Sequence, residues 1–478
     1  MLLASDSVSC PGIFYGTSAR DGKLLRIRIP GGILHSQQFV AIAELATSYG
    51  STYINITNRG NIQIREIHQD ISTDFLVKLQ KLALAARIPE VDHLRNIMGS
   101  PTAGIDRDEL IDTRPLVQEL DSYISTHPEI APLSPKFSIA VDGGGAVTIS
   151  CQPNDIYLTA VRIDQQVYFS LRLHQENTAS ILLRPEECVM AIAAVIQVYL
   201  QNSPTTQIAT PTRRKSSQPR LKEVVQAVGV EKFLLAIAQQ LGKSLPRFHH
   251  PPTQYPSYLH IGIHPQRQSG YSYIGVPLPL GRIETQQINA LADIATTYGN
   301  GTIRLTPWQN FILSDIKNEY LHVVEQKLKE LQLPISTNNI FAALVACRGN
   351  QGCAAAAGDT QKHALELAEF LHQRVQLQHP VNIHFTGCDK SCAQQTPSDI
   401  TCLGVSETSP AGTLEKYQVY LGDQQSRFGR LLSSPIGVTE LFPILEKILQ
   451  LYLSQGNRES FREFINRYSI ADLQRILQ

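Results

Sequence analysis

Two kinds of hydrophobic spacing follow each other in the first part of the chain. Residues 24–29, LLRIRI, alternate apolar and polar side chains with the period of two that a strand requires. Residues 36–48 carry apolar side chains at helical spacing, and Gly50 is typical of a helix end. Further alternating stretches follow at 52–57 and 61–66, so the pattern predicts strand, helix, strand, strand.

The same pattern returns later in the chain. Residues 32–67 align with residues 281–316 without a gap, at a constant offset of 249. A three-stranded sheet with one helix leaves strand edges and an apolar face uncovered. We therefore expect the two copies to pair into one pseudo-twofold domain; unrelated units in separate domains are the alternative. The identical pairs include Gln37/Gln286, Gln38/Gln287, Tyr49/Tyr298, Gly50/Gly299, Thr57/Thr306 and Asn61/Asn310.

The rest of the chain mixes helical stretches with short strands, which predicts an α/β (α+β) protein. The predicted organisation is a first half-repeat at 1–67, an α/β domain at 68–245, a second half-repeat at 246–316 and a second α/β domain at 317–478. Residues 201–220 are rich in Ser, Thr, Pro and Gln and predict an exposed loop. Its basic side chains favour a solvated loop or a docking site for an acidic electron carrier; they are Arg213, Arg214 and Lys215.

Composition narrows the range of partners. The chain has 42 Lys and Arg against 42 Asp and Glu, which argues against a nucleic-acid-binding or membrane-surface protein. We find no apolar run of about 18 residues that could cross a bilayer. The first residues, MLLASDSVSCPG, lack the basic region of a secretory signal. These features predict a cytoplasmic protein.

The cysteines carry the first chemical signal. The chain has eight, too few for a disulfide scaffold, and four of them form a Cys-x5-Cys pair and a Cys-x3-Cys pair. Four thiolates suit an iron–sulfur cluster or zinc, but structural zinc sites favour spacings of about two to four residues. The spacing therefore favours a [4Fe-4S] cluster. The predicted ligands are Cys347, Cys353, Cys388 and Cys392, and buried apolar roles are expected for Cys10, Cys151, Cys188 and Cys402.

Glycines accompany both cysteine pairs. Gly349 and Gly352 lie within the first pair, and Gly387 precedes Cys388. Glycine lets the backbone approach a cluster and point amide N–H groups at its sulfur atoms. Such donors are expected to tune the reduction potential.

Several longer motifs now join the cysteines, and together they resemble the sulfite and nitrite reductase family. The resemblance covers almost the whole chain. It rests on both repeat copies, on both cysteine pairs and on four segments: TNRGNIQ at 57–63, LRNIMGSPTAG at 94–104, PKFSIAVDGGG at 135–145 and GCDKSCAQ at 387–394.

The resemblance implies a three-domain fold with two pseudo-symmetric ferredoxin-like half-repeats and two α/β cofactor-binding domains. It also implies that Cys392 bridges the cluster to the iron of sirohaem. Basic side chains bind the reduced anion in this family, and the matching positions here are Arg59, Arg95 and Lys136. The family's reductases carry a second lysine two residues further on, where this chain has Ser138.

That departure favours a sister group that shares the fold and the cluster, the precorrin-3B synthases of cobalamin biosynthesis. The segment RLTPWQN at 304–310, the single lysine of PKFSIAVDGGG and the run AAAAGD after Cys353 resemble that group. The predicted function is O2-dependent hydroxylation and lactone formation on precorrin-3A. A non-haem iron is implied, although no His and carboxylate triad for it is evident. The alternatives are a sirohaem-dependent sulfite or nitrite reductase and a protein that carries tetrapyrroles without turnover.

A tetrapyrrole with a rim of carboxylates requires arginines and amides around it. Alternation in the strand NIQIRE places Gln63 and Arg65 on one face, and Arg26 and Arg28 share a face of the preceding strand. We expect these four side chains and Asn96 to contact the macrocycle; a solvated sheet face is the alternative. The one tryptophan, Trp308, favours either stacking on a flat ring or an anchor between domains. The expected electron donor is ferredoxin or an NAD(P)H-linked reductase.

Overall fold

The computed structural model describes most of the chain. The described residues are 11–174, 179–203, 218–249, 258–333, 335–336, 338, 340–409, 412–423, 426–455 and 459–477. Cys10 and the basic residues 213–215 lie outside them.

The two half-repeats form two five-stranded sheets that exchange a strand. The first sheet has the order β1-β2-β5-β4-β14, and the second has the order β12-β13-β16-β15-β3. Each sheet thus closes with one short strand from the other copy, which confirms that the copies share a domain. The strands are β1 (Thr17–Ala19), β2 (Gly22–Ile27), β3 (Ile33–His35), β4 (Tyr53–Ile56), β5 (Ile62–Ile67), β12 (Gly262–Pro265), β13 (Tyr271–Val276), β14 (Arg282–Glu284), β15 (Thr302–Leu305) and β16 (Phe311–Lys317).

One glutamine per copy joins two helices in this domain. The side chain of Gln38 accepts from the His35 amide at 2.8 Å and donates to the Leu82 carbonyl at 2.8 Å. Gln287 makes the equivalent bonds in the second copy: its side chain accepts from the Glu284 amide at 3.0 Å and donates to the Leu331 carbonyl at 2.8 Å. Each glutamine therefore caps one helix and holds the end of the next. The four helices are α1 (Ser36–Tyr49), α2 (Thr73–Lys81), α7 (Thr285–Tyr298) and α8 (Leu321–Glu330).

The core of this domain extends beyond the predicted half-repeats. Leu76 and Leu79 on α2 are buried in it, as are Val324 and Leu328 on α8. Apolar residues on amphipathic helices must be covered, and the sheets of the half-repeats provide the cover. Each half-repeat therefore continues past its predicted limit, 67 or 316, through the following helix.

The first α/β domain is built on a six-stranded sheet of order β11-β10-β9-β8-β7-β6. Three strands, β6 to β8, run parallel, and the others pair antiparallel. Because residues 247–249 form the edge strand β11, they belong to this domain and not to the second half-repeat. The elements are β6 (Ile97–Gly99), α3 (Arg114–Thr126), β7 (Ile139–Asp142), β8 (Ile156–Ile163), β9 (Gln166–Leu173), β10 (Ala179–Leu183), α4 (Cys188–Asn202), α5 (Leu221–Val228), α6 (Val230–Gln240) and β11 (Arg247–His249).

The second α/β domain repeats that plan with a sheet of order β17-β18-β19-β20-β21. Its first three strands are again parallel and its last two antiparallel. The elements are β17 (Leu344–Ala346), α9 (Thr360–His372), β18 (Ile383–Thr386), β19 (Ile400–Ser409), β20 (Gly412–Leu421), β21 (Arg430–Gly437), α10 (Val438–Ser454), α11 (Phe461–Asn466) and α12 (Ile470–Leu477). No helix among the described residues combines the length and the apolar character needed to cross a bilayer.

Matching hydrogen bonds relate the two α/β domains residue by residue. The carbonyl of Ser138 accepts from the amides of residues 155 and 156, and that of Asn382 accepts from the amides of residues 399 and 400. Strand register agrees, because Ile139 pairs with Ile156 and Ile383 pairs with Ile400. Equivalent residues of the two domains around these strands are therefore 244 positions apart in the sequence.

Replacing Gln38 with leucine should lower the stability of the domain. The change removes a helix cap and a bond to the next helix, together worth about 1–2 kcal/mol. We expect a lower apparent midpoint of thermal unfolding, measured by circular dichroism. The neighbouring Gln37→Leu, at an exposed position of the same helix, should change the midpoint little.

Candidate cluster and anion site

The four predicted cluster ligands face one volume of the second α/β domain. Cys347 directly follows β17, and its Sγ accepts a hydrogen bond from the Gly387 amide at 3.2 Å. Burial, followed by the charges of the other three thiols, raises the pKa of Cys392. The two cysteine pairs, 34 residues apart in sequence, are therefore neighbours in the fold.

The arrangement of these thiols fits a cluster better than a single ion. No three His, Cys, Asp or Glu side chains among the described residues are placed to hold one metal ion. A mononuclear zinc site needs four ligands close around one atom, whereas a [4Fe-4S] cube holds its thiolates further apart. The amide of Gly387 supplies the expected N–H to sulfur contact. The residues present therefore fit a [4Fe-4S] cluster.

A buried ion-pair network attaches the first half-repeat to the loop between Cys347 and Cys353. Arg65 donates two hydrogen bonds to Asp21, both at 2.8 Å, and a third to the Gly352 carbonyl at 3.3 Å. Arg348 lies within the loop and reaches Asp21 at 3.3 Å. Arg65 thus contacts the cluster loop, so its predicted contact with a macrocycle stays a prediction.

Three arginines lie near one another, namely Arg59, Arg28 and Arg220. Arg59 donates to Asn154 Oδ1 and to the Pro153 carbonyl, both at 2.9 Å. Burial lowers its pKa; Asp155 opposes that shift, and the positive charges of Arg220 and Arg28 add to it. Three guanidinium groups are therefore close enough to repel one another in a partly dry site.

The other predicted pocket residues have the following contacts. Arg26 donates to Gln63 Oε1 at 3.2 Å, across the register of β2 and β5. Lys136 is exposed, and Ser138 is fully buried with its hydroxyl donating to Asp155 at 3.2 Å. These positions remain predicted ligands of an anion or a macrocycle.

Arg95 and Asn96 have structural partners in this conformation. Arg95 donates to both carboxylate oxygens of Asp121, at 2.8 and 2.9 Å, and is 3% exposed. Asn96 accepts from Asn61 at 3.1 Å and donates to the Phe137 carbonyl at 3.3 Å. Asn96 therefore joins the first half-repeat to the neighbouring sheet, and the anion-binding role of Arg95 stays a prediction.

Sequence reasoning missed two residues of this site. Arg220 pairs with Asp155 at 2.8 Å, although it was assigned to the end of a solvated loop. Its amide bonds to Glu223 at 2.7 Å, a helix-start pattern that the sequence did contain. Asn58 donates to the Cys392 carbonyl at 3.3 Å, and no local pattern predicts that contact.

Trp308 combines both roles predicted for it in part. Its ring packs against an apolar group of the first α/β domain that includes Met98 and Tyr157, so it anchors two domains. It also stacks on the ring of His260, with centroids 4.1 Å apart and planes 15° apart.

Comparison with known proteins defines the class. The model of the nitrite/sulfite reductase ferredoxin-like half domain matches residues 18–82 and 264–331. The model of the nitrite and sulphite reductase 4Fe-4S domain matches residues 90–245 and 338–477. The chain belongs to the nitrite and sulfite reductase family. It is an oxidoreductase of that family, and the predicted fold with two ferredoxin-like half-repeats and the predicted [4Fe-4S] cluster are confirmed.

Individual relatives narrow the comparison. The chain is 29% identical to a ferredoxin–nitrite reductase of Synechococcus elongatus and 31% identical to one of Leptolyngbya laminosa. Each alignment covers 92% of this chain and 88% of the relative. A ferredoxin sulfite reductase of Mycolicibacterium paratuberculosis is 25% identical over 91% of this chain and 80% of its own length.

A solved structure agrees on the fold. The Mycobacterium tuberculosis NirA protein superimposes with a TM-score of 0.78 at 22% identity, over 94% of this chain and 84% of that one. These comparisons overturn the predicted precorrin-3B synthase function, because the similar proteins are nitrite and sulfite reductases.

Replacing Cys353 with serine should remove the cluster, because a [4Fe-4S] cube needs four thiolates and a hydroxyl is a poor substitute. We expect iron and acid-labile sulfide to fall to a small fraction of the wild-type content, measured chemically on anaerobically purified protein. Cys151→Ala is the control. That thiol is buried and belongs to the first α/β domain, whereas the four predicted ligands belong to the second, so cluster content should be unchanged.

Replacing Asp21 with asparagine should weaken the attachment of the cluster loop. The change leaves Arg65, which is 5% exposed, with a neutral partner, and should cost about 1–3 kcal/mol. The apparent midpoint of denaturant unfolding at pH 7 should fall. The control is Asp70→Asn, which removes one partner of the exposed pair of Lys23 with Asp70. It should change the free energy of unfolding by less than about 1 kcal/mol.

The same pair predicts a dependence on pH. Burial raises the pKa of Asp21, but the hydrogen bond and charge of Arg65 and the charge of Arg348 together bring it below its ordinary value. Because the pKa of Asp21 is lower in the folded state, its ionised form stabilises the fold above the unfolded pKa of about 3.9. This stabilisation is lost as the pH falls below that value and through the folded pKa. The difference between wild type and Asp21→Asn should therefore shrink as acid is added below that pH.

Proposed function

We propose that this chain is a sirohaem-dependent nitrite reductase that takes its electrons from ferredoxin. The support from comparison is the alignment with ferredoxin–nitrite reductases over 92% of the chain. The alignments also cover 88% of the length of each relative, so the similarity extends over all the domains described above.

The observation that carries the proposal is the meeting of Arg28, Arg59 and Arg220. Arg28 is 2% exposed, and its charge affects both Arg59 and His93. Burial, followed by the charge of Arg28, lowers the pKa of His93 to about 4. Like charges in a dry site repel strongly unless an anion lies among them. Asp155 supplies one negative charge there, through its pair with Arg220. The remaining excess of positive charge suits carboxylates and a small oxyanion.

These residues fit sirohaem by their chemistry. Arg26, Arg28 and Arg59 can form charge-assisted hydrogen bonds with the carboxylates on the rim of the macrocycle. Asn58 holds the Cys392 carbonyl and so fixes the direction of the thiol predicted to bridge cluster and macrocycle. When bound, the sirohaem supplies the iron at which the anion is reduced.

The charge of the pocket favours nitrite over sulfite. Lys136 supplies an exposed ammonium group, while Ser138 contributes a neutral hydroxyl where the family's reductases have a second lysine. Nitrite carries a single negative charge at neutral pH, whereas sulfite is present there as a mixture of the singly charged bisulfite and the doubly charged ion. A less cationic pocket therefore stabilises the singly charged anion at a smaller cost in unbalanced charge.

An acidic protein donor fits the surface beside the cluster. Lys390 is exposed and lies in the loop between Cys388 and Cys392. Arg427 is also exposed and donates to the Lys390 carbonyl at 2.5 Å. Two exposed cations next to a thiol ligand attract a negatively charged carrier and shorten the path for its electron. We assign the docking of ferredoxin to this surface.

Activity measurements on the purified protein test the proposal. With reduced ferredoxin as donor, nitrite should disappear with a kcat/KM well above that for sulfite. Extraction should yield sirohaem, seen by its absorption bands. Higher kcat/KM for sulfite, or loss of neither anion from protein that contains both cofactors, would contradict the proposal.

Replacing Lys136 with alanine should reduce nitrite turnover without removing the cofactors. A positioned donor to a reacting anion is worth roughly 100-fold in rate, so kcat/KM should fall by about that factor. Sirohaem and iron contents serve as internal controls and should stay at the wild-type level. Lys81→Ala, at an exposed position on α2, should have the activity of the wild type.

A further inference from the structure

The duplication that produces the anion site also produces a second cavity. It has a volume of about 870 Å³ and lies between the second half-repeat and the second α/β domain. That volume is typical of a pocket for a small organic ligand.

The repeat relation shows what this cavity corresponds to. At the offset of 249, Arg59 corresponds to Trp308. Lys136 corresponds to Pro380 at the offset of 244. In the preceding strands Ile97 pairs with Ile139 and Leu344 pairs with Ile383, so the offset there is 247 and Arg95 corresponds to Ala342. Trp308, Ala342 and Pro380 all line the cavity. It is therefore the pseudo-symmetric counterpart of the anion site, and its counterpart residues have lost every one of these three cations.

The charge of the cavity is the reverse of the charge in the anion site. Four carboxylate residues and one guanidinium residue line it. Arg462, the guanidinium, pairs with Asp399 at 3.0 Å. Glu459 pairs at 2.6 Å with Arg467, so four carboxylates lie beside two arginines. An anion such as nitrite, or a macrocycle rimmed with carboxylates, would therefore meet net negative charge. The other three carboxylates are Asp423, Glu459 and Glu463.

The cavity also has a flat aromatic wall. The ring of Trp308 stacks on that of His260, and both residues line the space. The face of an indole carries negative electrostatic potential and attracts cations. A planar ligand can lie against such a wall with little loss of conformational entropy.

A buried donor in the cavity lacks a hydrogen-bond partner. In the first half-repeat the amide nitrogen of Asn61 donates to Asn96. Its counterpart Asn310 lines the cavity and is 1% exposed, and among the described residues its amide nitrogen has no acceptor. The position that corresponds to Asn96 is Ala343, whose side chain cannot accept. An unsatisfied buried donor is destabilising, and a ligand acceptor would recover the lost hydrogen bond.

We infer that this cavity is a second binding site, which takes a planar heteroaromatic cation and excludes anions. The ring lies against Trp308, its positive charge faces the carboxylates, and a ring or substituent acceptor meets the amide of Asn310. This inference goes beyond nitrite reduction and does not depend on it.

Isothermal titration of the purified holoenzyme tests the inference with two probes of equal ring size, the 1-methylnicotinamide cation, whose amide oxygen is an acceptor, and the anion nicotinate. The cation should bind saturably with one site per chain, and the carboxylate should bind at least tenfold more weakly. In Trp308→Leu the affinity for the cation should fall roughly tenfold, the upper range of a desolvated cation–π contact. Phe370→Leu, on α9 outside the cavity, should bind like the wild type.

A second variant covers the case in which Trp308→Leu fails to fold. Pro380→Lys returns the lysine of the counterpart site, so it should weaken the cation and strengthen the carboxylate. Nitrite turnover of each variant, measured separately, shows that the fold and the first site are intact. Equal binding of both probes, no saturable binding of the cation, or unchanged affinity in a folded variant of either kind would overturn the inference.

Discussion

The exchange of one short strand between the two half-repeats is the constraint on which the rest of the structure depends. β3 completes the sheet of the second copy, and β14 completes the sheet of the first. Without the exchanged strand, each sheet would have an exposed and unpaired edge. This exchange fixes the turn at 57–61 and its counterpart at 306–310 in a central position, where each meets the α/β domains.

Symmetry of the backbone is combined with asymmetry of the chemistry. The hydrogen bonds around Ser138 and Asn382 are the same, yet one side gathers arginines and the other an aromatic wall with carboxylates. Only one α/β domain has the four cysteines. Since burial makes unbalanced charge costly, a few substitutions are enough to reverse which ligands each side accepts. The fold thus repeats itself while the two sites diverge.

The mistaken prediction of a precorrin-3B synthase has a physical explanation. Members of a superfamily with one fold and one cluster differ in a few pocket side chains, and Ser138 was read as evidence for another reaction. In the structure Ser138 is buried and bonded to Asp155. Its effect is to reduce the positive charge of the site, which is compatible with a singly charged substrate.

The sequence by itself determined the repeat and the order of strands and helices within each copy, because these depend on local periodicity, and it predicted the four thiol ligands from their spacing. It also located Arg59 and Lys136 by motif. Tertiary structure alone decided that α2 and α8 belong to the central core, that Arg65 holds the cluster loop through Asp21, and that Arg220 joins Arg28 and Arg59. Those contacts join residues tens to hundreds of positions apart, and burial and charge balance between distant segments leave no periodic trace in the chain.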